Sequence, residues 1–241
     1  MLELREQNRV PAGPGLGKPN PGAPLGATSR PEKGEGFPEQ RIVVLPRGVV
    51  AKTQKAALLR GLVPTDIGIF PRAAGHLRER RAGVDQAIFI YCTHGAGWCE
   101  MRGQRHEVHA GELLVVPPGE PHIYGADERQ PWTIPWFHLS GEEVPFLLEE
   151  LGVTAESPVL YVGEDPQMLS LFEDALGVLE HGYTSWEMLY ASRALGHLVG
   201  RMIWRRHQHW RGEADSRQKV MQCISLRTVT SSIPVFHADM V

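Results

Sequence analysis

"GELLVVPPGEPHIYG", residues 111–125, decides how the chain is organised. Four large apolar residues, Leu113 to Val116, run without a polar break and stop at two prolines and a glycine. Proline lacks the backbone donor that a ladder needs, and glycine accepts the tight turn that follows. The run predicts a strand that passes through a barrel wall. The Pro117-Pro118-Gly119 turn behind it ends that strand and leaves His122 and Tyr124 just beyond.

The flanking sequence has the same texture from about Ala56 to Leu160. "DQAIFIYCTHGAGW" (85–98) is a β-rich run ended by a glycine turn. "GWCEMRGQRHEVHAG" (97–111) divides around Arg102-Gly103 as a hairpin does, and "PWTIPWFHLSG" (131–141) supplies another strand. Short strands with frequent turns, and no strand–helix alternation, predict an antiparallel sandwich or barrel. After Gly163 the period changes. Leu169, Phe172, Leu176 and Leu179 recur at helical spacing, Gly182 ends that helix, and Ser185 is placed to cap the next. In the second helix Trp186, Tyr190, Ala194, Leu198 and Met202 step by four, with Leu195, Val199 and Ile203 alongside. That apolar face is wide enough to pack on the barrel or on a partner.

Composition narrows the class. The 241 residues are 42% hydrophobic with a net charge of −3, an ordinary globular profile. Without a long uncharged apolar run or a basic start followed by an apolar core, neither a membrane span nor secretion is expected. Cys92, Cys99 and Cys223 form no CxxC pair, which fits a reduced, cytoplasmic compartment. The near-neutral charge argues against a surface coated by nucleic acid. Residues 1–40 are dominated by proline and glycine and are expected to form a disordered tail without chemistry.

The spacing G-x5-P-x-G-x2-H, from Gly111 through Pro117 and Gly119 to His122, resembles the second motif of the cupin superfamily. "LLRGLVPTDIGIFPRAAGHLRER" (58–80) and the stretches quoted above together resemble the ligand-binding and dimerisation domain of AraC-type transcriptional regulators. The resemblance covers roughly residues 56–160 and the helical pair behind them. It implies a mainly β fold, a cupin-like jelly-roll barrel followed by an α-helical dimerisation hairpin. The corresponding division is a tail over 1–40, a barrel over 41–163, a helical element over 164–212, and a linker with a remnant over 213–241. It further implies a sugar-like small-molecule effector that controls transcription, a homodimer, no cofactor, and DNA contact only through a helix-turn-helix domain. "KVMQCI" (219–224) resembles the first helix of that domain, whereas residues 225–241 match nothing in the family, so the DNA-binding part is expected to be truncated. The basic cluster "RMIWRRHQHWR" (201–211) is expected to neutralise a helix C-terminus and its solvent face.

By the same resemblance the ligand residues are Arg80, His122, Tyr124, Trp132 and Trp136. Arginine offers fixed donors, histidine and tyrosine donate or accept, and tryptophan presents an apolar face to the C–H side of a sugar. An uncharged polyol-like ligand is therefore expected. Ile134 stands where the arabinose-binding relative carries a polar residue, which turns the expectation from arabinose towards another sugar or something less polar. Residues 57–68 are expected at the mouth, since in the family an N-terminal arm closes over the ligand. Structural alternatives stand beside these roles: His122 closing its turn, the two tryptophans as core, and Arg80 in a solvated charge run. No metal is expected, because Ile88 occupies the position of the cupin glutamate and "RERRAGV" (78–84) lacks the histidine pair. His106 and His109, three apart on a strand, face opposite sides. A cupin-type enzyme and a pure dimerisation module remain the alternative functions.

Overall fold

The computed structural model describes the backbone of residues 33–230 and the side chains of residues 33–209. Most of the expected tail, and residues 231–241, lie outside the described residues. One sheet holds β1 (Arg41–Val44), β2 (Val63–Phe70), β4 (Ala87–Tyr91), β7 (Glu112–Val116), β9 (Ile134–Ser140) and β10 (Val159–Tyr161). Its order is β1-β2-β9-β4-β7-β10. The other holds β3 (Leu77–Arg80), β5 (Ala96–Met101), β6 (Gln104–His109) and β8 (His122–Ala126) in the order β3-β8-β5-β6. Every pairing between these strands is antiparallel. The result is the expected barrel.

Among the described residues four helices accompany it: α1 (Arg47–Thr53), α2 (Val144–Leu151), α3 (Pro166–His181) and α4 (Ser185–Thr230). They explain the unbroken apolar run in β7. Leu113 and Val115 face outward into a core shared with the helices, and Leu114 and Val116 face the barrel interior. A strand buried on both faces has no use for polar alternation. β4 obeys the same rule: all five of its residues are buried. On the outer face of the sheet, Phe89 of β4 stacks on its cross-strand partner Phe137 of β9, with centroids 4.9 Å apart. Leu195, Leu198, Val199 and Met202 of α4 close this layer.

The hairpin turn falls at Arg102 (φ 48) and Gly103 (φ 73), two successive positive values that suit the twist of a two-residue loop. Four expectations need correction. Residues 33–40 are not a featureless tail, because Lys33 N–H bonds to the Gly75 carbonyl at 2.8 Å and Phe37 is buried. The cap of α4 is Thr184 rather than Ser185. Thr184 N–H donates to Glu187 Oε2 at 2.7 Å while Glu187 N–H reaches Thr184 Oγ1 at 3.5 Å, a reciprocal capping box. The second helix does not end by residue 212 but runs through Thr230. The basic cluster therefore lies within a helix. Arg201 donates to Asp165 Oδ2 at 2.6 Å, and Arg205 Nε donates to the Val162 carbonyl at 3.1 Å. No described helix is long and apolar enough to cross a membrane.

Candidate functional site

Between the two sheets lies a cavity of about 100 Å³. It is built by the strict two-residue period of strands. Asp66 and Phe70 of β2, Ile134, Trp136 and His138 of β9, and Ile88 and Ile90 of β4 all point into it. The opposite wall is Arg78 and Arg80 of β3 with Tyr124 of β8, and the register pairs Arg78 with Tyr124. Gly34, Glu35, Ile42 and Val44 border it from the N-terminal side.

Of the five residues expected at the ligand, three line this cavity: Arg80, Tyr124 and Trp136. His122 does not. It is buried, its Nδ1–H donates to the Glu120 carbonyl at 2.7 Å, and its ring stacks parallel on Tyr124 with centroids 5.7 Å apart. That bond closes the turn after Gly119, and burial holds the ring below its ordinary pKa. Trp132 is also absent from the wall. It precedes β9, is fully buried, and donates Nε1–H to His76 Nδ1 at 3.1 Å. Four-residue spacing placed it with Trp136, but it is not on that strand. The expected mouth at 57–68 is likewise displaced. Its first half faces α4, with the Leu58 and Leu62 carbonyls accepting from Arg193 and Ser192, and only Asp66 reaches the cavity.

Several lining residues escaped the sequence. His76 is the hub of an aromatic cluster, 5.2–5.8 Å from Phe37, Phe70, Tyr124 and Trp132. Burial, with a smaller contribution from Arg78, pulls its pKa down to about 3, so it is neutral and its Nδ1 is an acceptor for Trp132. Asp66 Oδ2 accepts from Thr65 Oγ1 at 2.7 Å and meets His138 Nδ1 at 3.1 Å. Although burial opposes ionisation there, these partners hold the Asp66 carboxyl below the usual carboxylate range. The signal was present as D-x-G-x-F (66–70) and I-x-W-x-H (134–138), two runs of alternate residues on paired strands. Cys92 and Cys99 are buried, and burial pushes both thiols up to about 12, which suits small packed residues rather than nucleophiles. Among the described residues no group of three or more His, Cys, Asp or Glu is placed to hold a metal ion.

A family model for the AraC-like ligand binding domain matches residues 64–198. Over 159 residues the chain is 35% identical to the MmsAB operon regulatory protein of Pseudomonas aeruginosa, covering 64% of this chain and 51% of that one. The chain thus spans about half the length of this curated relative. Among solved structures it is similar to a cupin-like protein from Thermotoga maritima (14% identity, TM-score 0.29, 52% of this chain and 75% of that one). A cupin superfamily protein from Desulfitobacterium hafniense is similar at 10% identity and a TM-score of 0.28, over 44% of this chain and 80% of that one.

Proposed function

The chain belongs to the family of AraC-like ligand binding domains, and on that premise we propose that it senses a small-molecule effector in the barrel and passes the signal to transcription. The observation that carries this is the cavity, where Arg80, Tyr124 and Trp136 meet Asp66 and His138 in a wall that is otherwise largely apolar. A few polar groups converging in an apolar cavity are the usual make-up of a small-molecule site. At about 100 Å³ it suits a molecule of sugar size or smaller. A thermal-shift screen of small polar metabolites tests the proposal. A ligand at about 100-fold its Kd adds about 2.7 kcal/mol, or a rise in Tm of about 5–10 °C at this chain length. Loss of that rise in Tyr124→Ala and Trp136→Ala is the expected companion result. A rise that survives both changes places the ligand elsewhere.

The second part of the proposal is a homodimer through α4. Trp186, Tyr190 and Trp204 stand exposed on it at 79, 54 and 53%. Their spacing returns to one helix face, opposite the face that Leu195 and Val199 bury against the barrel. Light scattering is expected to give twice the chain mass at micromolar concentration. Tyr190→Glu with Trp204→Glu should halve that mass and leave the circular dichroism unchanged. A monomeric wild type at high micromolar concentration refutes this part. DNA contact, in this proposal, belongs to a helix-turn-helix domain and not to the barrel.

A further inference from the structure

Two obligate donors in the cavity wall lack a hydrogen-bond partner. Arg80 Nη1 and Trp136 Nε1 are both buried, and neither meets an acceptor among the described residues. Neither group can accept a hydrogen bond, and a guanidinium cannot shed its proton to escape the cost of burial. They belong to opposite sheets, β3 and β9, yet line one cavity of about 100 Å³. A space so small brings both within reach of a single molecule. What would complete the site is an acceptor shared between them.

The charge pattern says which kind. Arg80 forms no ion pair with a described carboxylate; Glu35 and Asp66 line the same cavity, and Asp66, which feels the Arg80 charge, has its Oδ2 engaged by Thr65 and His138. Arg78 is turned to the Gly34 carbonyl at 3.3 Å. The neighbouring histidine, His76, is neutral and adds no charge to the site. Five aliphatic side chains, Ile42, Val44, Ile88, Ile90 and Ile134, form much of the wall, beside Glu35, Phe70, Tyr124 and His138. A pentose would set part of its ring of hydroxyls against the five aliphatic side chains, whose surfaces offer no hydrogen bond. We propose that the effector is a short aliphatic carboxylate, its carboxylate on Arg80 and Trp136 and its hydrocarbon body against Ile88, Ile90 and Ile134. This rests on the barrel cavity being the effector site, and it replaces the uncharged polyol suggested by the sequence.

Calorimetric titration of the full chain with isobutyrate, isobutyramide and L-arabinose tests it. The acid and the amide have nearly the same shape and differ in charge. Isobutyrate is expected to bind, and isobutyramide to bind at least about tenfold more weakly, the ordinary margin of a charge-assisted bond. Arg80→Gln should weaken isobutyrate by about the same factor and leave the amide nearly unchanged. Arg80→Lys should recover part of the loss, and this comparison, with the acid–amide contrast on the wild type, does not depend on Arg80→Gln folding. Trp136→Phe should remove one donor and abolish any quenching of Trp136 by the acid. Equal affinity for acid and amide, or tighter binding of L-arabinose than of any acid from propionate to hexanoate, overturns the carboxylate and leaves the cavity as the effector site. Binding of isobutyrate that ignores both Arg80→Gln and Trp136→Phe overturns the cavity itself. Absence of binding across that acid series at millimolar concentration overturns the proposal as well.

Discussion

Replacing Trp132 with alanine is expected to cost the fold about 3–5 kcal/mol, the range for emptying a large aromatic site in a core. Trp132 is fully buried, and its surroundings have been shaped for it. A Cβ on Gly97 of β5 would lie 2.0 Å from Trp132 Cε3, so this strand carries glycine because the indole lies directly on its backbone. The indole N–H is satisfied by His76, and removal of the ring would leave that acceptor unpaired too. Urea denaturation should show the loss as a lower midpoint at an unchanged slope. Trp136→Ala should cost clearly less, because its ring is only partly buried and its N–H has no partner to lose among the described residues. Equal costs for the two tryptophans would contradict the division between a core Trp132 and a cavity-lining Trp136.

The second large effect is on pH dependence. His76 is held neutral with a pKa of about 3, against 6.5 when unfolded. Between those values the unfolded chain binds a proton that the folded chain refuses. Stability is therefore complete above about pH 6.5 and falls as the pH drops towards 3, at about 1.4 kcal/mol per pH unit, for a total of about 4 kcal/mol. His122, also lowered by burial, adds to the trend in the same direction. His76→Gln keeps an acceptor for Trp132 but removes the titrating ring. Comparing wild type with this variant at pH 7 and pH 4.5 cancels the carboxylates common to both. The wild type should lose about 3 kcal/mol more over that interval. Parallel losses in the two proteins would show that His76 is not the group responsible.

Much of the fold could be read from the chain because its strongest signals are local. The apolar run at Leu113, the Pro-Pro-Gly stop, the turn at Arg102-Gly103 and the helical period from Leu169 each depend on neighbours a few residues away. α1 and α2 were missed, since each is short and takes its stability from packing more than from its own period. The site was legible only in part. Tyr124 and Arg80 stood out because the turn and the resemblance marked them. Asp66, His76 and His138 did not, because what makes them notable is the burial they share, and their mutual distances are set by strands that meet across the sheet. Trp132 was misplaced for a related reason. Counting in fours assumes one unbroken strand, and β9 begins only at Ile134.

The strand order also sets a timetable for synthesis. β2 has apolar residues on both faces, yet its neighbour β9 follows about 70 residues later, where Ile67 meets Phe137. At a translation rate of about 5–20 residues per second, β2 leaves the ribosome about 4–14 s before β9 exists to pair it. The α4 residues that cover the outer face of the sheet come later still. Pairings this distant in sequence close slowly even in a finished chain. For those seconds an open, sticky edge is held by β1 alone, and aggregation in that interval competes with folding to set the yield of native protein.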